Sequence, residues 1–280
     1  MNKVLILTDS TADLSQGLLI KHDIQSVPLY IRFDEEVYLD GIDITTEELY
    51  EKVTETGVLA KSSGLRSADF LITFKKFISR GFDIVYIGVS SGLSGSVQAA
   101  EMARHEVSNN RIFIVDSKNL SSGVGLLVLK AKDLRDQGFS AQEIKRKIDQ
   151  MVPHIKTYFI IPDLTYLYMG NHVTSAQIFF GHLTKTKPIL TIKNGNVEIV
   201  KKVRGNINKP IDFIIKIMKK DQLDHDYVMV THSYATKSAK YLKEKIIEGY
   251  EIKNVIDSYA GCVISAHIGK GSIGIAYLTR

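Results

Sequence analysis

The chain has 280 residues, 44% of them hydrophobic and 24% charged, with a formal net charge of +5. That balance belongs to a globular protein with a sizeable core and excludes a disordered or low-complexity chain. The single cysteine, Cys262, excludes an internal disulfide, and no run approaches the ~18 apolar residues of a membrane span.

Met1-Asn2-Lys3 leads directly into the strand Lys3–Thr8. Its apolar run is too short for a signal-peptide core, so a cytoplasmic location is expected. An amphipathic stretch follows at Leu14, Leu18 and Leu19. Ser26–Phe33 is expected to be extended, because Pro28 disfavours helix before it. Thr45-x-x-Glu48 has capping-box spacing and predicts a helix start. Phe70, Leu71, Phe74, Phe77 and Ile78 share one helical face, and Ser67 is the expected cap of that helix. Asp83–Val89 and Arg111–Val115 are predicted strands, each followed by a helix, the second running from about Leu120 to Asp136. Ser140-x-x-Glu143 caps a further helix with Ile144, Ile148, Met151 and Val152 inward. This alternation predicts a parallel sheet covered on both faces.

The second half has a different pattern. Lys156–Ile161 is a predicted strand broken by Pro162, with short helices expected at Leu164–Met169 and Thr174–Leu183. Pro188–Lys193 and Val197–Val203 flank Asn194-Gly195-Asn196, a hairpin signal. A helix is predicted at Ile207–Lys219, a strand at Tyr227–Thr231, then a Lys-rich helix, and two or three short strands in the last 30 residues. Hairpins mixed with helices predict an α+β half with a mainly antiparallel sheet. The boundary is placed at residue 158, giving domains 1–158 and 159–280. Lys185–Lys220 carries ten Lys/Arg against two acids, a basic face suited to an acidic protein, an anionic membrane or nucleic acid.

In an open parallel sheet, ligands bind beyond the carboxyl ends of the strands. Three polar segments follow strands there: Thr8-Asp9-Ser10-Thr11, Ser90-Ser91-Gly92-Leu93-Ser94-Gly95-Ser96 and Asp116-Ser117. The middle one combines serine donors, glycines that admit a ligand to the backbone, and a helix start whose dipole favours an anion. Lys61-Ser62-Ser63-Gly64 repeats the logic of hydroxyls ahead of a helix. The plainer reading of either segment is a turn and a cap. Gly92-Leu93-Ser94-Gly95-Ser96 fails the G-x-S-x-G elbow at its last position. Gly269-Lys270-Gly271-Ser272-Ile273-Gly274 fits G-x-G-x-x-G, but six residues leave no room for a helix and acidic residue after it. The eight histidines show no metal-ligand spacing, so no metal site is expected. Cys262, in an apolar setting, is expected to be a buried small residue.

Taken together, these pieces resemble the DegV family in order and spacing. The resemblance rests on Thr8–Thr11, Ser26-Val27-Pro28-Leu29, Ser90–Ser96, Asp116-Ser117-Lys118, Gly170-Asn171-His172-Val173-Thr174, Lys187-Pro188-Ile189-Leu190, Val203-Arg204-Gly205 and Ala266–Gly271. It spans essentially the whole chain. It implies a Rossmann-like parallel-sheet domain, an α+β domain, and a fatty acid in an apolar tunnel between them. It implies a lipid-binding protein that is no enzyme itself and needs no cofactor. Such a protein presents the carboxylate to a fatty acid kinase subunit for acyl-phosphate formation in phospholipid metabolism. By resemblance, Ser94 and Gly95 hold the carboxylate with Ser62, Ser63 and His267, and Arg204 docks the kinase. Transient contact with a membrane surface is a further implied partnership; nucleic acid is not. The chain departs from the family pattern at Gly64-Leu65, where Gln-Pro is common, at Asn171-His172-Val173, and at Lys270. The competing readings are a serine-dependent esterase or phosphoryl-transfer enzyme acting on a small anion, and a nucleic-acid or regulatory module using the basic stretch.

Overall fold

The computed structural model describes residues 2–107, 110–162, 166 and 186–280. Apart from Tyr166, the two short helices expected at 164–169 and 174–183, and the Gly170–Thr174 segment, lie outside the described residues.

Four parallel strands form the first sheet: β1 (Lys3–Asp9), β2 (Ile24–Val27), β6 (Phe82–Gly88) and β7 (Ile112–Asp116), in the order β2-β1-β6-β7. The chain leaves β1 to one side for β2 and later returns on the other side for β6. β1 is therefore the switch point, where the crevice for a ligand opens. Side chains alternate across the sheet. Leu5, Leu7, Ile84, Tyr86, Ile112 and Ile114 face a core shared with α3 (Ser67–Ile78) and α4 (Ser96–Val107). Ile6, Val85, Ile87 and Val115 face α5 (Ser122–Asp136) and α6 (Ala141–Met151).

Three features of this half differ from expectation. Ser26–Phe33 is not one strand: Pro28-Leu29 divides it into β2 and β3 (Tyr30–Phe33), which lie in different sheets. β3 pairs antiparallel with β4 (Glu36–Leu39) and with β5 (Lys61–Ser63), so the expected linker Lys61–Ser63 is a strand. Helix α3 is capped at Arg66 rather than Ser67, because the Asp69 carboxylate accepts the Arg66 N–H at 2.8 Å. The Thr45 and Ser140 capping boxes are present as expected, starting α2 (Thr46–Thr56) and α6.

The second sheet has six strands in the order β10-β9-β8-β13-β11-β12, antiparallel except for the β11–β12 pair. They are β8 (Ile155–Ile160), β9 (Thr186–Lys193), β10 (Asn196–Arg204), β11 (Leu223–His232), β12 (Asn254–Tyr259) and β13 (Ile273–Thr279). One face packs on α7 (Asn208–Met218) and α8 (Thr236–Gly249) through Ile211, Ile214, Leu242 and Ile246. The other face meets α5, which is buried on every side through its first ten residues. Met229 and Leu278 of this sheet join Val124, Leu127 and Val128 of α5 in one cluster. A helix apolar all round belongs between two layers, and α5 is the common layer of both sheets. Residue 158 falls inside β8, and the change of sheet comes before that strand.

The last 30 residues hold two strands separated by a helix that the sequence pattern did not predict, α9 (Cys262–Ile268). Its Cys262, Val263 and Ala266 pack into the core of the first sheet, although it lies near the end of the chain.

Candidate functional site

A cavity of about 300 Å³ opens at the carboxyl edge of the first sheet, beyond β1 and β6. Its polar wall comprises Thr11, Ser62, Gly64, Ser94, Gly95 and His267. Its apolar wall includes Leu29, Val89, Leu93, Leu120 and Phe159, with Val197, Val263, Ile264 and Ile268. The lining comes from both halves of the chain.

Ser94 sits two residues ahead of α4. Its hydroxyl accepts the Ser96 N–H at 3.3 Å and lies 3.0 Å from Ser96 Oγ, which in turn accepts the Leu65 N–H at 3.1 Å. With Ser96 donating to Ser94, the Ser94 hydroxyl proton is left for a ligand oxygen. The site thus lies at the N-terminus of a twelve-residue helix, where the dipole favours negative charge. Gly95 lines the cavity and accepts the first helical bond from Ala99 at 3.0 Å.

Ser62 and His267 are 205 positions apart, yet Ser62 Oγ and His267 Nε2 are 2.8 Å apart. β5 supplies the serine and the last turn of α9 the histidine. Ser63, expected beside Ser62, does not line the cavity, because neighbours on a strand face opposite ways. Gly64 closes the group: a β-carbon there would stand 2.9 Å from Ser94 Oγ and 3.1 Å from Ser96 Oγ. A side chain at this position would therefore meet the Ser94 hydroxyl directly.

Thr11, which the sequence reading placed on the edge without a role, lines the cavity. Its hydroxyl and N–H both donate to the buried Asp9 carboxylate, which also accepts the Tyr86 hydroxyl at 2.6 Å. Burial raises the Asp9 pKa against the pull of those bonds. Asp116 and Ser117 are on the same edge but outside the cavity. Asp116 accepts the N–H groups of Ser91 and Lys118 at 3.2 and 3.0 Å, so this loop buttresses the serine loop. Leu120, Phe159 and Ile264 had no sequence signal beyond hydrophobicity.

Arg204 is exposed at the far end of β10, where it pairs in register with Thr186. At about 3.3 Å per residue it is on the order of 25 Å along the strand from the hairpin tip at the cavity. Lys270 holds its Nζ 4.9 Å from the centre of the Tyr234 ring. Cys262 is buried as expected, with Sγ 3.2 Å from the Ile44 carbonyl. Among the described residues no group of three or more His, Cys, Asp or Glu is arranged to hold a metal, and no helix is long and apolar enough to cross a membrane.

The model of the DegV family, described as uncharacterised, matches residues 3–280. A DegV domain-containing protein of Clostridium acetobutylicum is 31% identical over 281 residues, with all of both chains covered. One from Caldanaerobacter subterraneus is 33% identical over 280 residues, covering 99% of each. A DegV family protein of Thermus thermophilus, described by its fatty acid binding, superposes with a TM-score of 0.92 at 28% identity over the full length of both chains. DegV of Bacillus subtilis, described as a fatty acid binding protein, gives 0.86 at 28% identity, again over both full lengths.

Proposed function

The chain belongs to the DegV family, and from that premise we propose that it binds a long-chain fatty acid, with the carboxylate at Ser94, Gly95, Ser62 and His267. The observation that carries this reading is the division of one cavity into a hydroxyl and imidazole end at a helix N-terminus and an apolar remainder. A carboxylate needs donors, and charge-assisted bonds from hydroxyls and a helix start are strong ones. An acyl chain gains about 0.8 kcal/mol per buried methylene, so the apolar wall supplies most of the affinity, and the polar end adds a smaller share together with orientation. Solved relatives described as fatty-acid-binding support the ligand class. The tunnel is read as lying between the amino-terminal part, to residue 158, and the remainder.

The protein acts in this reading as a cytoplasmic carrier, without a cofactor and without catalysing the acyl-phosphate step. It presents the carboxylate to a partner kinase docked on the basic β9–β10 and α7 face around Arg204, and takes up its ligand in brief contact with an anionic membrane. Mass spectrometry of an organic extract of the purified protein tests the ligand; an empty protein that also fails to bind long-chain fatty acids in vitro overturns the reading. Ser94→Ala is expected to weaken fatty acid binding about 10- to 100-fold, the worth of one hydrogen bond to a charged group, with little change in melting temperature. Unchanged affinity removes Ser94 from the site.

One observation favours a second reading. The Ser62–His267 pair has the hydroxyl–imidazole distance of a nucleophile and its base, 2.8 Å. Turnover of short acyl esters, abolished by Ser62→Ala, supports an esterase; no turnover above background removes it.

A further inference from the structure

The β9–β10 hairpin reaches the serine loop through one buried residue of its tip, Gly195. Asn194 and Gly195 both have positive φ, 51° and 82°, as a two-residue hairpin turn requires. Asn194 is exposed, but Gly195 is buried against the serine loop. Ser90 Oγ donates to the Gly195 carbonyl at 2.8 Å and accepts the Gly92 N–H at 3.1 Å. The approach leaves no room for side chains. A β-carbon on Gly195 would lie 2.6 Å from Ser90 Oγ, and one on Gly92 would lie 2.8 Å from the Gly195 carbonyl oxygen. Two glycines in different halves of the chain therefore face each other across one hydrogen bond.

The backbone of Ser90 is tied to the ligand site. Its carbonyl accepts the N–H groups of Leu93 and Ser94 at 2.9 and 3.0 Å. Its own N–H donates to the Asn119 carbonyl at 2.8 Å, one residue before the cavity-lining Leu120. On the hairpin side, Val197 lines the cavity two residues past Gly195. One residue thus grips the hairpin with its side chain and Ser94 with its main chain.

We propose that Ser90 and Gly195 are positioning residues that form a latch between the hairpin tip and the serine loop, holding Ser94 in place for the head group. Release of the tip frees the turn that places Ser94. The latch itself rests on geometry alone; its effect on a carboxylate rests on the function proposed above.

Two measurements on the full chain separate these layers. Hydrogen exchange is followed in the ligand-free protein for Ser90→Ala and, from the opposite side, Gly195→Ala. Both variants are expected to speed exchange at the Ser94 amide together with the hairpin tip. A variant that loosens the tip and leaves the Ser94 amide unchanged overturns the latch. Where Ser90→Ala does not fold, Gly195→Ala carries the test, since it leaves every residue of the loop intact. The second measurement compares hexadecanoic acid with hexadecan-1-ol. The latch predicts that the preference for the acid falls about 5- to 10-fold in each variant, as the loss of one neutral hydrogen bond implies, while affinity for the alcohol stays within twofold. An equal loss for acid and alcohol assigns the pair a structural role only and overturns the positioning claim. Wild-type protein that binds neither ligand, but shows coupled exchange, keeps the latch and refutes the fatty acid reading.

Discussion

Asp13→Asn is the substitution through which the acid-rich turn after β1 speaks most directly to stability. Asp13 is 5% exposed and has φ 51°, in the left-handed region. Its carboxylate accepts the Ser121 hydroxyl at 2.5 Å and the N–H of Gly261 at 2.8 Å. Gly261 caps the N-terminus of α9, the helix whose last turn carries His267. Burial first of all, with smaller contributions from the Asp40 and Asp9 charges, pushes its pKa up to about 8, while the bonds from Ser121 and Gly261 oppose the rise. In the unfolded chain the group titrates near ~3.9. Between those values the folded protein holds a proton that the unfolded chain has released. The stability due to that proton is complete below the unfolded pKa and is lost as pH rises through the folded one. One pKa unit corresponds to about 1.4 kcal/mol, so raising pH from 6 to 8 removes roughly 2 kcal/mol through this group. Asparagine mimics the neutral acid, offers a carbonyl to Gly261 and an amide to Ser121, and tolerates the left-handed backbone. Asp9 and Asp40, whose pKa values burial raises, and His22 and His232, whose values burial lowers, are present in both proteins, so the variant-minus-wild-type difference reports Asp13 together with its coupling to Asp9 and Asp40. Urea midpoints at pH 5, 6, 7 and 8 are expected to show the variant gaining on wild type by roughly 2 kcal/mol over the upper two units. A difference that does not change with pH refutes the assignment.

Two further outcomes follow from the core. Gly125 faces the Ala12 carbonyl where α5 crosses the turn after β1; a β-carbon there would lie 2.6 Å from that oxygen and 2.8 Å from Met229 Sδ. Gly125→Ala is expected to destabilise by about 1–3 kcal/mol in denaturant melts, through overpacking, against the small gain that alanine brings to an ordinary helix. Cys262 is 1% exposed and its pKa is pushed up to about 12, chiefly by burial. Iodoacetamide at pH 8 is expected to leave the native protein unlabelled and to modify one thiol after unfolding; rapid native labelling contradicts this packing.

Local chemistry was legible wherever it acts over a few residues. The apolar runs of β1, β6 and β7, the capping boxes at Thr45 and Ser140, and the Asn194-Gly195 turn each depend on neighbours in sequence, and each is where the pattern placed it. The serine loop was legible because the carboxyl edge of a parallel sheet is a topological consequence of strand–helix alternation. α9 was not legible: seven residues, Cys262–Ile268, are too few for a helical period to stand out. Ser67 and Ser63 misled for a related reason, since a serine before a helix fits a cap or a site equally well until Asp69 and the strand register choose.

By itself, then, the sequence determined most of the element types, the parallel first sheet, the edge that carries the serines and the family likeness. Only the tertiary structure decided which polar groups meet. Ser62 and His267 are brought within 2.8 Å because α9 crosses back into the core of the first sheet. Ser90 meets Gly195 because α5, buried between both sheets, fixes how the hairpin lies over the serine loop. Secondary structure follows from periodicity and caps over a few residues, whereas such contacts depend on how whole layers bury their apolar faces against one another.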